Sequence, residues 1–240
     1  MIAFLTSSPF REDVDRPTFS NINGFVDRIR GCLPPNPRCL YICSSPERPD
    51  LNCLFGADIF MAFAHCGIHF RSYQVLDGRN AQRAAQLVVD SDLIVLAGGH
   101  VPTQNAFFQK IGLRKLLSNH PGVVMGISAG SMNCADIVYS QPEEPGESSI
   151  DFARFLPGLG LSQVQILPHY QKCKDMLVDG LRLFEDITYQ DSMDHCFYAL
   201  PDFSYVVDDG RFATLYGEGY RIQNGILERL TDHGHALTIK

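Results

Sequence analysis

Ser128 stands in Gly126-Ile127-Ser128-Ala129-Gly130, directly behind the apolar run Val123-Val124-Met125, and this segment is the best equipped in the chain for covalent chemistry. A strand that runs into Gly-x-Ser-x-Gly and then into a helix is the pattern of a nucleophile elbow. Small residues flank the serine because the turn is sharp and its backbone passes close to neighbouring elements. Such a turn lifts the hydroxyl out of the sheet and leaves the next N–H, that of Ala129, facing the reaction. The helix beginning there adds its positive N-terminal end. The plainer alternative is a glycine-rich turn whose serine merely caps a helix.

A serine hydroxyl attacks a carbonyl only when a base takes its proton. His169, His195, His233 and His235 lie downstream of Ser128. His169 ends the run Val164-Gln165-Ile166-Leu167-Pro168, where a strand end would gather chemistry and the proline would stiffen the turn. His195 sits in a polar stretch, and His233 and His235 lie near the end of the sequence. For the carboxylate that orients the imidazole, Asp202 follows Leu200-Pro201, with Asp136, Glu143 and Glu144 as weaker alternatives. Asp202 could otherwise be a turn former. The order Ser, His, Asp differs from the Ser, acid, His order of lipases and esterases, so the elbow is not their signature. A second glycine pair, Gly98-Gly99, ends the run Leu93-Ile94-Val95-Leu96-Ala97. The Gly99 N–H is then a second oxyanion donor, or the pair is a turn feeding a helix capped by Thr103; both readings stay open.

Positioning these residues requires strand ends on one edge. Segments 2–6, 38–43, 68–75, 92–97 and 123–127 read as strands; 20–32, 50–65, 81–90 and 103–117 read as helices, with Ser20 as a cap and Gly67 as a stop. The alternation argues for an α/β, doubly wound sheet. Residues 141–149 read as a loop. From Cys196 onward, Asp209-Gly210 and Asn224-Gly225 signal hairpins, so antiparallel strands finish the same sheet or cap its edge. No linker separates two cores, and residues 1–240 read as a single domain.

Composition bounds the function. The 240 residues are 45% hydrophobic and 20% charged with a formal net charge of -7, which argues against a general nucleic-acid binder. No apolar run is long enough to span a bilayer, and residues 2–5 lack the basic residue that would make them a signal peptide, so a cytoplasmic protein is expected. The eight cysteines form no C-x-x-C pair, so they read as small apolar side chains in a reducing compartment rather than as a metal site.

Gly98-Gly99, the segment Gly126–Asn133, Pro168-His169 and Leu200-Pro201-Asp202, taken in this order over about residues 1 to 230, resemble peptidase family S51, which includes the aspartyl dipeptidases (peptidase E) and cyanophycinase. The resemblance implies a three-layer sandwich with a mostly parallel central sheet, similar to the class I glutamine amidotransferase domain. It implies Ser128 as nucleophile, His169 as base, and Gly99 and Ala129 as oxyanion donors. The family's Pro-Glu pair falls on Pro201-Asp202, with aspartate in place of glutamate, and an acid in the loop after the elbow keeps Glu143 and Glu144 in view. Where aspartyl dipeptidases carry a third glycine followed by Asn-Thr, this chain has His100-Val101-Pro102-Thr103. His100 could line the pocket or point to solvent. No local match singles out Arg154, Arg182, Arg211 or Arg221 as a holder of a substrate carboxylate.

The expected function is a serine hydrolase acting through an acyl-enzyme, with a short peptide as substrate by resemblance alone and no metal or organic cofactor. A homodimer is the default expectation, with no nucleic-acid or membrane partner. The alternatives are a non-catalytic binding or regulatory protein on the same fold, or an amidase or esterase of a non-peptide substrate. A glutamine amidotransferase would need a cysteine at the elbow, and Cys134, six residues on, is more than one helical turn away.

Overall fold

The computed structural model describes residues 1–240. Five strands form the parallel part of an eight-stranded sheet: β1 (Ile2–Thr6), β2 (Arg38–Ile42), β3 (Ser72–Leu76), β4 (Leu93–Leu96) and β5 (Val123–Ile127), in the spatial order β3-β2-β4-β5-β1. All of β5, and all but the first residue of β1 and β2, is buried, as expected of strands covered on both faces. The register assigns the faces. Phe4, Met125, Val95 and Tyr41 fall in one row across the sheet. On that face lie α1 (Phe25–Cys32), whose Phe25 meets Phe4 edge to face, and α2 (Pro49–His65), whose Gly56 comes against Tyr41 and Val75. The opposite face carries α4 (Val101–Lys110) and α6 (Ala129–Met132), while α3 (Ala84–Val89) and α5 (Leu113–Leu117) pack together beside them. The central sheet between helical layers is the three-layer α/β architecture expected.

Several boundaries move, each for a local reason. The strand expected at 68–75 begins only at Ser72, because Gly67 at φ +73° and Ile68 close α2 instead. The Ile68 N–H donates to the Phe63 carbonyl and the Gly67 N–H to that of Ala64, which is the left-handed helix stop. The helix expected at 20–32 starts at Phe25, after Asn23 and Gly24 take positive φ; the Ser20 hydroxyl accepts the Ile22 N–H ahead of it. The helix expected at 103–117 starts earlier, at Val101 with Pro102 in its first turn, and Gly112 at φ +63° divides it into α4 and α5. Thr103 therefore lies inside the helix and does not cap it.

The C-terminal strands go to two places rather than one. After β6 (Ile137–Tyr139) and β7 (Phe155–Pro157), which pair with each other, come β8 (Gln165–Leu167), the short pair β9 (Leu177–Val178) and β10 (Leu181–Arg182), and β11 (Cys196–Ala199). β12 (Tyr205–Asp208), β13 (Ala213–Tyr216) and β16 (Ala236–Thr238) extend the main sheet antiparallel from β1. β14 (Gly219–Gln223) and β15 (Ile226–Thr231) instead join β11 and β8 in a second sheet of four strands, ordered β15-β14-β11-β8. Both expected hairpins form, and Asn224 and Gly225 take φ of 53° and 72°, as a two-residue turn with both central residues left-handed requires. No helix is long and apolar enough to cross a membrane.

The glycines of the elbow are fixed by close approach. A Cβ on Gly130 would meet the Leu96 carbonyl oxygen at 2.3 Å, and one on Gly126 would meet the Ser131 backbone at 2.5 Å. Gly130→Ala is expected to lower stability by about 1–3 kcal/mol through forced backbone displacement. Gly31→Ala, at an exposed position in α1 with nothing near the new methyl, is expected to raise it by about 0.5–1 kcal/mol. Thermal unfolding of the two variants measures both.

Candidate active site

Four strand ends meet on one edge of the main sheet. β1 delivers Ser7, β2 delivers Ser44, β4 delivers Gly98-Gly99 and β5 delivers Ser128. The second sheet supplies the other half of the site. β8 and β11 run parallel and side by side, so the residues just beyond their ends, His169 and Asp202, arrive together. Ser128 has φ 50° and ψ -114°, a conformation that ordinary residues avoid at a cost of roughly 1–3 kcal/mol. Its N–H is held by the Thr6 and Ser7 carbonyls at 3.0 and 3.1 Å, and the Ser131 hydroxyl donates to the Thr6 carbonyl at 2.8 Å. The helix after the elbow, α6, is a single turn of four residues, so the dipole expected to assist the site is small.

Ser128 Oγ lies 2.9 Å from His169 Nε2, and His169 Nδ1 lies 2.7 Å from Asp202 Oδ1. Asp202 is only 8% exposed and has a full set of donors. The Ser7 hydroxyl donates to its Oδ1 at 3.0 Å, Gln171 Nε2 to its Oδ2 at 2.6 Å, and Lys172 Nζ lies 3.0 Å from the same oxygen. Burial alone would raise the Asp202 carboxyl, but hydrogen bonding and charge from His169, with bonds from Lys172 and Ser7, overcome it and hold the group far below the usual carboxylate range. An ionised Asp202 only accepts, so His169 Nδ1 carries the proton, and in a neutral ring Nε2 is left as an acceptor toward the Ser128 hydroxyl. His169 itself sits at φ 56°, and its N–H donates to Ser7 Oγ at 2.7 Å. Ser7 thus ties the main sheet to both residues brought by the second sheet.

Neither the Gly99 nor the Ala129 N–H has an acceptor within the protein, and both residues line a cleft of about 190 Å³ with Ser128 and His169. Gly99 is at φ +144°, and a Cβ there would meet Ser44 Oγ at 2.5 Å, so any side chain would be strained and would have to displace Ser44. Glu143 also lines this cleft, but neither it nor Glu144 hydrogen-bonds to His169. Glu147 organises this loop: its Oε2 accepts the Glu143 and Glu144 N–H groups and its Oε1 lies 2.8 Å from His100 Nε2. Nor does His100 fulfil either of its expected roles: Glu147 takes one ring nitrogen and the Thr103 hydroxyl, at 2.7 Å, the other. His100, Glu144 and Glu147 could together approach one cation, and they also satisfy one another without it.

The remaining candidates do not line the cleft. Asp136 pairs with Arg114, His195 stacks on Phe155, and His233 lies 3.3 Å from Glu218. Arg154, Arg182 and Arg221 pair with Asp191, Asp186 and Glu228, while Arg211 forms no ion pair and does not line the cleft. All eight cysteines are free thiols; Cys39, Cys43 and Cys134 are buried, Cys53 is exposed, and Cys173 lines the cleft. Ser7, Gln171 and Lys172 are the participants that sequence reading missed. Ser7 had a usable signal, since it directly follows the strand that neighbours β5 in a parallel sheet.

The serine turn after β5, set in a mostly parallel sheet between helices, defines a class I glutamine amidotransferase-like fold. The profile of peptidase family S51 matches residues 57–206, more than half of the sequence. The chain belongs to peptidase family S51, a family of serine-type peptidases. Its fold is similar to that of a crystal structure from Listeria monocytogenes EGD-e, described as a candidate peptidase E, with a TM-score of 0.59 and 16% sequence identity. That likeness covers 96% of this chain and 98% of the other. No curated protein matches the sequence.

The depressed Asp202 carboxyl makes a pH-dependent contribution to stability. Because its folded pKa lies below the unfolded value, the contribution is complete above about pH 5 and is lost as pH falls below about 4. The advantage of wild type over Asp202→Asn in thermal unfolding is expected to be level near neutrality and to shrink in acid.

Proposed function

We propose that the protein is a serine peptidase of short peptides in which Ser128 is the nucleophile, His169 the general base and Asp202 the orienting acid. The observation that carries this reading is the continuous hydrogen-bonded chain from Ser128 Oγ through both ring nitrogens of His169 to the buried Asp202 carboxyl group. His169 Nε2 removes the hydroxyl proton as Ser128 Oγ bonds to the carbonyl carbon of the scissile amide. The developing oxyanion is taken by the unpaired N–H groups of Gly99 and Ala129. Collapse of this intermediate breaks the C–N bond, and the imidazolium passes its proton to the leaving amine. Water, deprotonated by the same His169, then cleaves the acyl-enzyme and regenerates Ser128. Asp202 holds the Nδ1–H tautomer and stabilises the imidazolium, while Ser7, Gln171 and Lys172 fix the carboxylate itself. The strained Ser128 backbone favours catalysis over a purely binding role, since a helix cap needs no such conformation.

A fluorophosphonate probe is expected to label wild type and not Ser128→Ala; labelling of the alanine variant, or of neither protein, contradicts the assignment. On any peptide that wild type cleaves, Ser128→Ala is expected to lower kcat by about 10⁴–10⁶-fold. Gly99→Ala, whose methyl would collide with Ser44 and displace the Gly99 N–H from the oxyanion cradle, is expected to cost about 10²–10³-fold in kcat.

A further inference from the structure

A second cleft, of about 320 Å³, lies against the same strand ends on the opposite face of the sheet. Gly99, Ser128 and Ala129 line the first cleft, on the α4 and α6 side; their neighbours Ala97, Gly98 and Ile127 line the second, on the α2 side. A side chain entering either one therefore branches from a backbone lying across Ser128. The walls of the second cleft are apolar: Phe10, Pro17, Phe55 and Ile59. Two polar groups interrupt them. Tyr41 is 3% exposed, and its hydroxyl has no hydrogen-bond partner in the protein. The hydroxyl opens onto the cleft rather than being sealed in the core, so a group entering the cleft can hydrogen-bond to it. Asp58 is half-buried, lies close enough to Tyr41 to act on it electrostatically, and forms no ion pair.

The charge around Ser128 is one-sided. Asp58 in one cleft and Glu143 in the other are the charged lining groups, apart from His169 if protonated, and no lysine or arginine lines either. Lys172, the basic residue nearest the triad, is held between Asp202 and Glu12. A substrate carboxylate would find no cation here and would lie near fixed negative charge. An apolar stem ending in a hydrogen-bond-donating cation matches every feature: the stem against Phe10, Phe55 and Ile59, the cation on Asp58 and the Tyr41 hydroxyl.

We infer that the cleft between Phe10, Phe55, Tyr41 and Asp58 is a subsite for a cationic, long-stemmed side chain next to the scissile bond, so that the substrates are basic rather than acidic peptides. This rests on Ser128 being the nucleophile, and the test separates the two claims by measuring binding without turnover. Ser128→Ala protein is titrated calorimetrically with Ala-X-Ala peptides in which X is lysine, norleucine (the same stem without charge) or aspartate. The lysine peptide is expected to bind about tenfold more tightly than the norleucine peptide, as one hydrogen bond to a charged group implies, and the aspartate peptide most weakly. Adding Asp58→Asn is expected to bring lysine and norleucine within about twofold, and Asp58→Lys to reverse the order of lysine and aspartate. Acetylating the amino terminus is expected to leave the lysine preference in place, which assigns it to the side chain rather than to the terminal ammonium. Equal binding of norleucine, tighter binding of aspartate, absence of binding by all three, survival of the preference in Asp58→Asn, or its loss on acetylation overturns the subsite. Failure of wild type to take the fluorophosphonate would instead overturn the nucleophile, while the titration still reports on the cleft.

Discussion

The backbone of Ser128 is the constraint around which the site is built. A φ of 50° with ψ of -114° does not persist on its own, and the surrounding contacts show what holds it. The serine N–H is anchored on two carbonyls of the β1 end. On either side, Gly126 and Gly130 allow approaches of 2.5 and 2.3 Å from an imagined Cβ, so the turn is pressed against α6 and against β4. Remove the freedom of either glycine and the turn must open. The cost of the strain is met by the buried parallel sheet beneath it, whose strands are covered on both faces.

Ser7 converts that local turn into a two-part site. The nucleophile belongs to the main sheet, while His169 and Asp202 belong to the parallel pair β8 and β11 of the second sheet. The pairing of β12 with β1, which begins three residues after Asp202, brings the two halves to the same β1 end, and a side chain there must set them at hydrogen-bonding distance. The Ser7 hydroxyl does so by donating to Asp202 and accepting from the His169 N–H, while Lys172 and Gln171 satisfy the outer carboxylate oxygen. A buried carboxylate with this many donors stays charged, and a charged carboxylate fixes the histidine tautomer that leaves Nε2 free for the serine proton.

Much of this was legible in the chain itself. Alternating apolar runs and helical segments gave the five parallel strands, and β1 and β5 appear with their expected bounds because buried runs between turn signals have little freedom. Where expectation and structure part, a single residue usually decides. Ile68 reads as strand but is spent on closing α2, and Gly112 breaks a helix that periodicity alone would continue. The division of the C-terminal strands between two sheets was not legible, because hairpin signals define neighbours in sequence and say nothing about which sheet edge receives them. For the same reason the meeting of His169 with Asp202 could be expected but not located, and Ser7, Tyr41 and Asp58 remained silent: each is an ordinary residue until the fold supplies its neighbours.

The most direct test of the site is a crystal structure of the protein after reaction with a phosphonate inhibitor that mimics the tetrahedral intermediate. Phosphorus bonded to Ser128 Oγ is expected, with one phosphonyl oxygen about 2.7–3.1 Å from both the Gly99 and Ala129 nitrogens and His169 Nε2 on the leaving-group side. An adduct on any other residue, or a phosphonyl oxygen directed away from Gly99 and Ala129, would contradict the assignment of nucleophile and oxyanion cradle.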